Sequence, residues 1–488
     1  MTKTLSIVLA LIVTAGCSGS SQGVLGEAAE EMGATDLRSI QYSASGSNYA
    51  LGQAHNPGVT GPRFNVTSYT RVIDYEAAAS RQEMVRTQGD MPPRGGGGIL
   101  VDEQRRVQLV SGDRAWNMDG DTAAPALGSA VARRVEIWLT PHGFLKQALA
   151  SNPTVESQTL DGRDVSVVTL TNVEGKYTLT GYINDQGLVE RIDTWTPNVH
   201  LGDMLTSYRY SDYREFDGVM FPTQIDVEAG GFPSLELTVS EVQPNVEAGI
   251  TVPDNVRQAT ARPPAPVRLE PKLVADGVWH LPGASASPAL VEFADHVVVF
   301  EASGDDDRTL AVIAAARELA PGKPVRYVVD SHYHFDHSGG LRGYAAEDVT
   351  ILTHENNLAF YQEAWQAPRT LEPDLLSQSG KTPTFESVGD KHILTDGTRT
   401  MELYSLPGND HTDGLLMAYL PAEKILFVSD VYSPGHALGD PDLGYPHPWN
   451  VQLMQHIQQR KLDVQQLVPV HGEVHPISDL IERVKPRM

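Results

Sequence analysis

Only one cysteine, Cys17, stands among 488 residues, so no disulfide can form within the chain. Basic residues are scarce: 37 Lys and Arg face 62 Asp and Glu. The resulting formal charge of −25 repels phosphate at long range and argues against nucleic acid or an anionic membrane surface as partner. A local basic patch survives such an average, so RNA chemistry is demoted rather than excluded. Long apolar runs are missing too. The stretch 5–13 holds eight apolar residues around Ser6, too few to span a bilayer. The hydrophobic share of 41% nevertheless suits a globular protein, and the length suffices for two or three domains with proper cores.

That short run has the layout of a secretory signal. Lys3 precedes it, Thr14-Ala15-Gly16-Cys17 closes it, and a Ser/Gly tract follows. Small residues before the only cysteine resemble the bacterial lipoprotein signal, with Thr14 where Leu is commoner. The resemblance implies lipidation of Cys17 and stable membrane anchoring by several acyl chains. Ser18 after the cysteine resembles sorting to the outer membrane, which places the expected product in the envelope, facing the periplasm. The alternative is an ordinary signal peptide with an incidental cysteine.

Residues 18–25 read as a tether, and 26–255 as a mostly antiparallel β domain. Within it, Lys176-Tyr177-Thr178-Leu179-Thr180-Gly181-Tyr182-Ile183 alternates with period two. Turn signals fall at Glu174-Gly175, at Asn184-Asp185-Gln186-Gly187 and at Asp217-Gly218. Thr140-Pro141 predicts a capped helix carrying Phe144, Leu145, Ala148 and Leu149 on one face. The hairpin around Tyr210, Tyr213, Phe216, Asp217-Gly218 and Phe221-Pro222 resembles that of periplasmic lipoprotein-carrier-like sheets, which implies a curved sheet under a helix, with an apolar concave face or simply a core. Gly95 to Gly98 lack the Lys-Ser/Thr of a phosphate loop and read as a flexible connector. The Pro-rich stretch 256–271 reads as the linker to a domain at 272–488. There the rhythm becomes α/β, with strands at 296–300 and 324–330 around a helix at 310–319.

The second of those strands feeds His332-Tyr333-His334-Phe335-Asp336-His337, four metal-binding side chains in six positions. Imidazoles and a carboxylate aimed into one volume suit zinc and similar borderline metals. A two-metal site needs three further ligands, and His411, Asp430 and His471 supply them, each in a loop-like context. Isolated histidines such as His280, His296 and His392 carry no assignment. In identity, order and context the seven residues resemble the metallo-beta-lactamase superfamily over roughly residues 270–485. The resemblance implies an αβ/βα sandwich with metals at one edge of the sheets. It also implies two zinc ions, with iron or manganese as alternatives on this scaffold. His332, His334 and His411 would hold one; Asp336, His337 and His471 would hold the other; Asp430 would bridge them. The chemistry implied is attack by a metal-bridging hydroxide on a small-molecule ester, lactone, thioester or phosphodiester, with Asp336 orienting the hydroxide and returning a proton. True zinc β-lactamases generally carry Cys or Ser where Asp430 stands, so antibiotic hydrolysis is disfavoured as the main activity. Asp410 beside His411 is either a hydrogen-bond partner of a ligand histidine or a solvated acid. Tyr445 and His447 are candidate leaving-group donors, with loop packing preferred. A different class of function, a lipid- or lipoprotein-binding module with a structural or vestigial metal site, is the alternative to a hydrolase.

Overall fold

The computed structural model describes residues 21–90, 93–97, 100–160, 162–261, 265–283, 286–434 and 447–485. Cys17 with its signal, Gly98, and Tyr445 lie outside these residues. Residues 21–25 are not tether. They open the helix Ser21–Glu31, because Leu25, Ala28, Ala29 and Met32 recur at helical spacing and are all buried.

The N-terminal half folds into a single antiparallel sheet of thirteen strands. Two meanders join where Ser39–Tyr49 pairs with Phe232–Pro244, the last strand of the half. Period-two burial is plain in Val219–Ala229, whose residues alternate between core and partly exposed faces. The turn at Asp217-Gly218 takes positive φ at both residues (46° and 81°), the geometry that joins twisted strands through two residues. One face of the sheet packs against the helices Ser21–Glu31, Ala130–Trp138 and Pro141–Leu149 in one apolar cluster that includes Leu25, Ile40, Phe144, Val168, Leu179 and Phe221. Thr140 caps the last helix as expected, its hydroxyl accepting from Gly143 N at 3.3 Å with Pro141 in the first turn. This face is filled rather than hollow. The cavity among Tyr42, Tyr69, Arg71, Tyr208 and Phe221 is about 30 Å³, room for about two waters and far too little for a lipid chain.

The stretch read as linker starts later than expected. Asp254–Gln258 is helical, and Val256 is buried against Val107, Leu109 and Trp116 of the sheet. Beyond it lie two mixed sheets. One runs in the order Lys272–Ala275, Val278–His280, Ala289–Glu292, Val297–Phe300, Val325–Val329, Thr350–His354, Phe385–Val388. The other runs Lys391–Thr395, Thr400–Ser405, Leu416–Leu420, Ile425–Val428, Gln466–Pro469, His475–Pro476. Central strands such as Val297–Phe300 are buried on both faces. Val298 and Phe300 meet Leu403, Leu416 and Phe427 between the sheets. Val297 and Val299 face the outer helices, which supply Val312, Ile313, Leu341 and Tyr344. Trp449 and Leu453 cover the second sheet in the same way. The result is the expected helix–sheet–sheet–helix sandwich. Among the described residues no helix is long and apolar enough to cross a membrane.

Candidate metal centre

Strand Val325–Val329 ends at Asp330, and the chain then turns across the edge of the sandwich. Asp330 anchors that turn. Its Oδ2 accepts from Thr353 Oγ1 (2.7 Å) and Tyr361 OH (2.8 Å), while burial pushes its carboxyl up to about 7 despite those hydrogen bonds. The following residues project their side chains back into the edge, where the loops after Ser405 and Val428 and the segment at 470–472 deliver His411, Asp430 and His471.

The seven side chains form two groups. In the first, His332 Nε2 lies 3.1 Å from His334 Nδ1 and 3.0 Å from His411 Nε2, all three residues being fully buried. In the second, His337 Nε2 lies 3.3 Å from Asp336 Oδ2, 2.9 Å from Asp430 Oδ1 and 3.3 Å from His471 Nε2. Asp430 spans both groups. Its Oδ1 is 3.0 Å from His471 Nε2, and its Oδ2 is 3.3 Å from His411 Nε2.

The tautomers are set from outside. His332 Nδ1 lies 3.0 Å from Ser331 Oγ, which donates to Glu301 Oε2 at 2.7 Å. His337 Nδ1 donates to the same Glu301 oxygen at 3.2 Å. His334 Nε2 donates to the carbonyl of Ala54 at 2.8 Å. With those outer nitrogens carrying the protons, His332 Nε2 and His334 Nδ1 present bare lone pairs 3.1 Å apart, which repel unless a cation lies between them. Ligands about 2.1 Å from a tetrahedral zinc are separated by roughly 3.4 Å, so the group admits such an ion once its nitrogens part by a few tenths of an ångström. Electrostatics agrees. Burial, reinforced by the neighbouring imidazoles, holds His332 well below its ordinary range. Burial likewise brings His334 down to about 4. Burial opposes charge on His337 as well, but Asp430, Glu301 and Asp336 outweigh it and raise its pKa. The donor set of three imidazoles on one side, and two imidazoles with two carboxylates on the other, suits a pair of divalent cations.

Glu301 escaped the sequence reading. It is fully buried, ends the apolar strand Val297–Phe300, and takes a positive φ of 87°. An acid directly after four buried apolar residues was the available signal. The contribution of the N-terminal half was equally unforeseen. Gln53 Nε2 donates to Asp336 Oδ1 at 2.7 Å, and Gly95 N donates to Asp410 O at 2.9 Å. Gly95 and Gly96 therefore lie against the centre instead of serving as a free connector. Asp410 does not partner a ligand histidine, since its carboxylate accepts from Gln452 Nε2 at 2.9 Å. His447 packs: its Nδ1 caps the helix Pro448–Gln459 by accepting from Trp449 N (3.2 Å), and the Trp449 ring stands edge-on to His411 at 4.6 Å. His280 and His296 are buried away from the two groups.

A protein-family model, that of the Metallo-beta-lactamase superfamily, matches residues 282–471. Among solved structures, the chain is similar to a metallo-beta-lactamase from Pontibacter korlensis, at 20% identity over 44% of this chain and 96% of that one, with a TM-score of 0.34. It is also similar to the metallo-beta-lactamase FIM-1 from Pseudomonas aeruginosa in its mono-zinc form, at 20% identity over 45% and 94% of the two chains, with a TM-score of 0.32. No curated protein matches the sequence. The C-terminal half thus holds a metallo-beta-lactamase superfamily domain, a hydrolase fold with two candidate metal-binding groups at its edge.

Proposed function

We propose that the protein is a binuclear metal-dependent hydrolase of the cell envelope, acting on a small ester, lactone, thioester or phosphodiester in that falling order of preference. The observation that carries this reading is the position of Asp430, one carboxylate with an oxygen facing each histidine group. His332, His334 and His411 would hold one zinc ion, and Asp336, His337 and His471 the other. Two such cations supply Lewis acidity and bring the pKa of water toward neutrality.

The remaining work falls to the chain. The four histidines of the inner wall are fully buried, whereas the Asp336 side chain is 45% exposed, so substrate approaches from the Asp336 side. Asp336 is there to orient the attacking water and to carry its proton toward the leaving group. Burial, joined at His332 by the neighbouring imidazoles, keeps His332 and His334 neutral, as ligands must be, and at His334 it outweighs the Ala54 carbonyl, which favours the charged form. Asp430 in place of a thiol or hydroxyl favours ester-like and phosphodiester substrates over β-lactams. The envelope location rests on the signal-like N-terminus with Cys17 as the lipidated residue.

The test is metal analysis of the purified protein joined to a substrate panel: a chromogenic ester, a homoserine lactone, a thioester, bis-p-nitrophenyl phosphate and a β-lactam. Turnover of one panel member, abolished by chelator and restored by zinc, is expected. Failure to retain any transition metal when offered excess overturns the proposal.

A further inference from the structure

We propose that the N-terminal domain supplies a working part of the metal centre, with Gln53 as a positioning residue that fixes the Asp336 carboxylate. The inference rests on the reading above, that Asp336, His337, Asp430 and His471 hold a cation. It adds a residue from more than 280 positions earlier in the chain.

The segment leaving strand Ser39–Tyr49 crosses to the C-terminal half and touches two of the four segments that carry the metal groups. On the 332–337 side, Ala54 O accepts from His334 Nε2 and from Tyr333 OH, and Phe335 N donates to Gly52 O at 3.2 Å. On the 409–413 side, His55 O accepts from Asp413 N and Thr412 Oγ1, each at 3.0 Å. Gln53 lies between these anchors, so its carboxamide reaches the metal centre from a fixed backbone. Gly96 completes the arrangement. Its N–H donates to Gln53 O at 2.8 Å, and a Cβ there would fall 1.8 Å from Gln53 Oε1 and 3.0 Å from His334 Nδ1. Only glycine admits the carboxamide at that place.

Of the seven metal-group side chains, Asp336 is the most exposed, so packing constrains its carboxylate least. Gln53 Nε2 takes Oδ1, which turns Oδ2 toward His337 Nε2 and the second group. A neutral amide orients the anion without neutralising it. Lysine or arginine at that position would compete with a metal cation for the same oxygen.

The experiment is a zinc titration of metal-free full-length protein by competition with a chromophoric chelator, with the absorption spectrum of the cobalt-substituted protein as a second readout. Neither depends on turnover. Wild type is expected to take up two equivalents. Gln53→Ala and Gln53→Glu are expected to weaken one equivalent by about tenfold to a hundredfold, leave the other unchanged, and alter the cobalt spectrum. Gly96→Ala is expected to weaken the same equivalent, because the new methyl displaces the carboxamide, and to disturb the other as well, because it also falls 3.0 Å from His334 Nδ1. Two equivalents bound by Gln53→Ala as tightly as by wild type would overturn the inference while sparing the metal reading. Loss of both equivalents together with a lowered thermal midpoint would also overturn it, in favour of a brace between domains. No uptake of zinc by wild type would sink the metal reading and this inference with it.

Discussion

Glu301→Gln separates the support of the second metal group from its ligands. Two donors, Ser331 Oγ at 2.7 Å and His337 Nδ1 at 3.2 Å, converge on Glu301 Oε2, while Ala302 N donates to Oε1 at 3.2 Å. A carboxylate offers acceptors on both oxygens, whereas a carboxamide offers only one acceptor oxygen. In either orientation of the glutamine, its NH₂ faces a donor, and at least one fully buried N–H or O–H loses its partner. Such a loss costs about 1–3 kcal/mol. Removal of the negative charge behind His337 also lowers that imidazole's basicity as a ligand. The expected outcome is zinc affinity at the His337 group weakened by about tenfold to a hundredfold, equivalent to about 1.4–2.7 kcal/mol. The His332 group should suffer less, because Glu301 reaches His332 only through Ser331. Competition titration of the metal-free variant resolves the two affinities. Two zinc equivalents held as tightly as in wild type would refute the role assigned to Glu301, and equal weakening of both groups would refute its assignment to His337.

Chelation should lower the thermal midpoint of the wild type, since an ion at a hundredfold its dissociation constant stabilises by about 2.7 kcal/mol per site; an unmoved midpoint counts against metal binding. Arg369 donates to the carbonyls of Asn198, Val199 and His200 at 2.8–3.0 Å, so Arg369→Ala should cost about 2–4 kcal/mol in urea unfolding, and Arg369→Lys should recover less than half because an ammonium lacks the guanidinium fork. Burial raises the pKa of Asp374, yet hydrogen bonds from Arg342 and Ser377 outweigh it and hold the group at about 2. A depressed folded pKa means that its contribution, about 1–2 kcal/mol once solvent screening is allowed for, is present above about pH 4 and lost as pH falls toward 2. Asp374→Asn should therefore flatten the urea midpoint over that window, and an unchanged acid limb would contradict the pairing.

What could be read in the sequence was whatever repeats or clusters within a short window. The run His332 to His337 announces a candidate metal site because six adjacent residues concentrate four metal-binding side chains, and 297–300 announces a central strand because both faces are apolar. Long-range pairing leaves no such trace. Nothing local in residues 39–49 says that they pair with 232–244 and close thirteen strands into one sheet. The helix Ser21–Glu31 was hidden by the Ser/Gly tract beside it, although Leu25, Ala28, Ala29 and Met32 carry the right spacing. Glu301 and Gln53 are single polar residues whose roles exist only in three dimensions. Ala54 acts through its backbone carbonyl, which no side-chain motif encodes.

The same limit bears on Phe335, a position the ligand motif leaves free. Its ring stacks on His200 at 4.0 Å and 14°, and lies so close to Gly52 that a Cβ there would fall 2.2 Å from it. His200 sits between the strands Val189–Asn198 and Gly202–Phe216, and Gly52 follows Ser39–Tyr49, so two separate parts of the large sheet hold one ring. That ring is flanked in sequence by His334 and Asp336, one from each metal group. Clamping it fixes the turn that aims both, at the point where the short helix Phe335–Ser338 begins. A four-residue helix has little stability of its own, so the orientation of its ligands must come from tertiary contacts. The N-terminal half supplies those contacts through His200, Ala54 and Gln53 together, which is why an antiparallel domain with no metal group among its described residues is part of the geometry of this site.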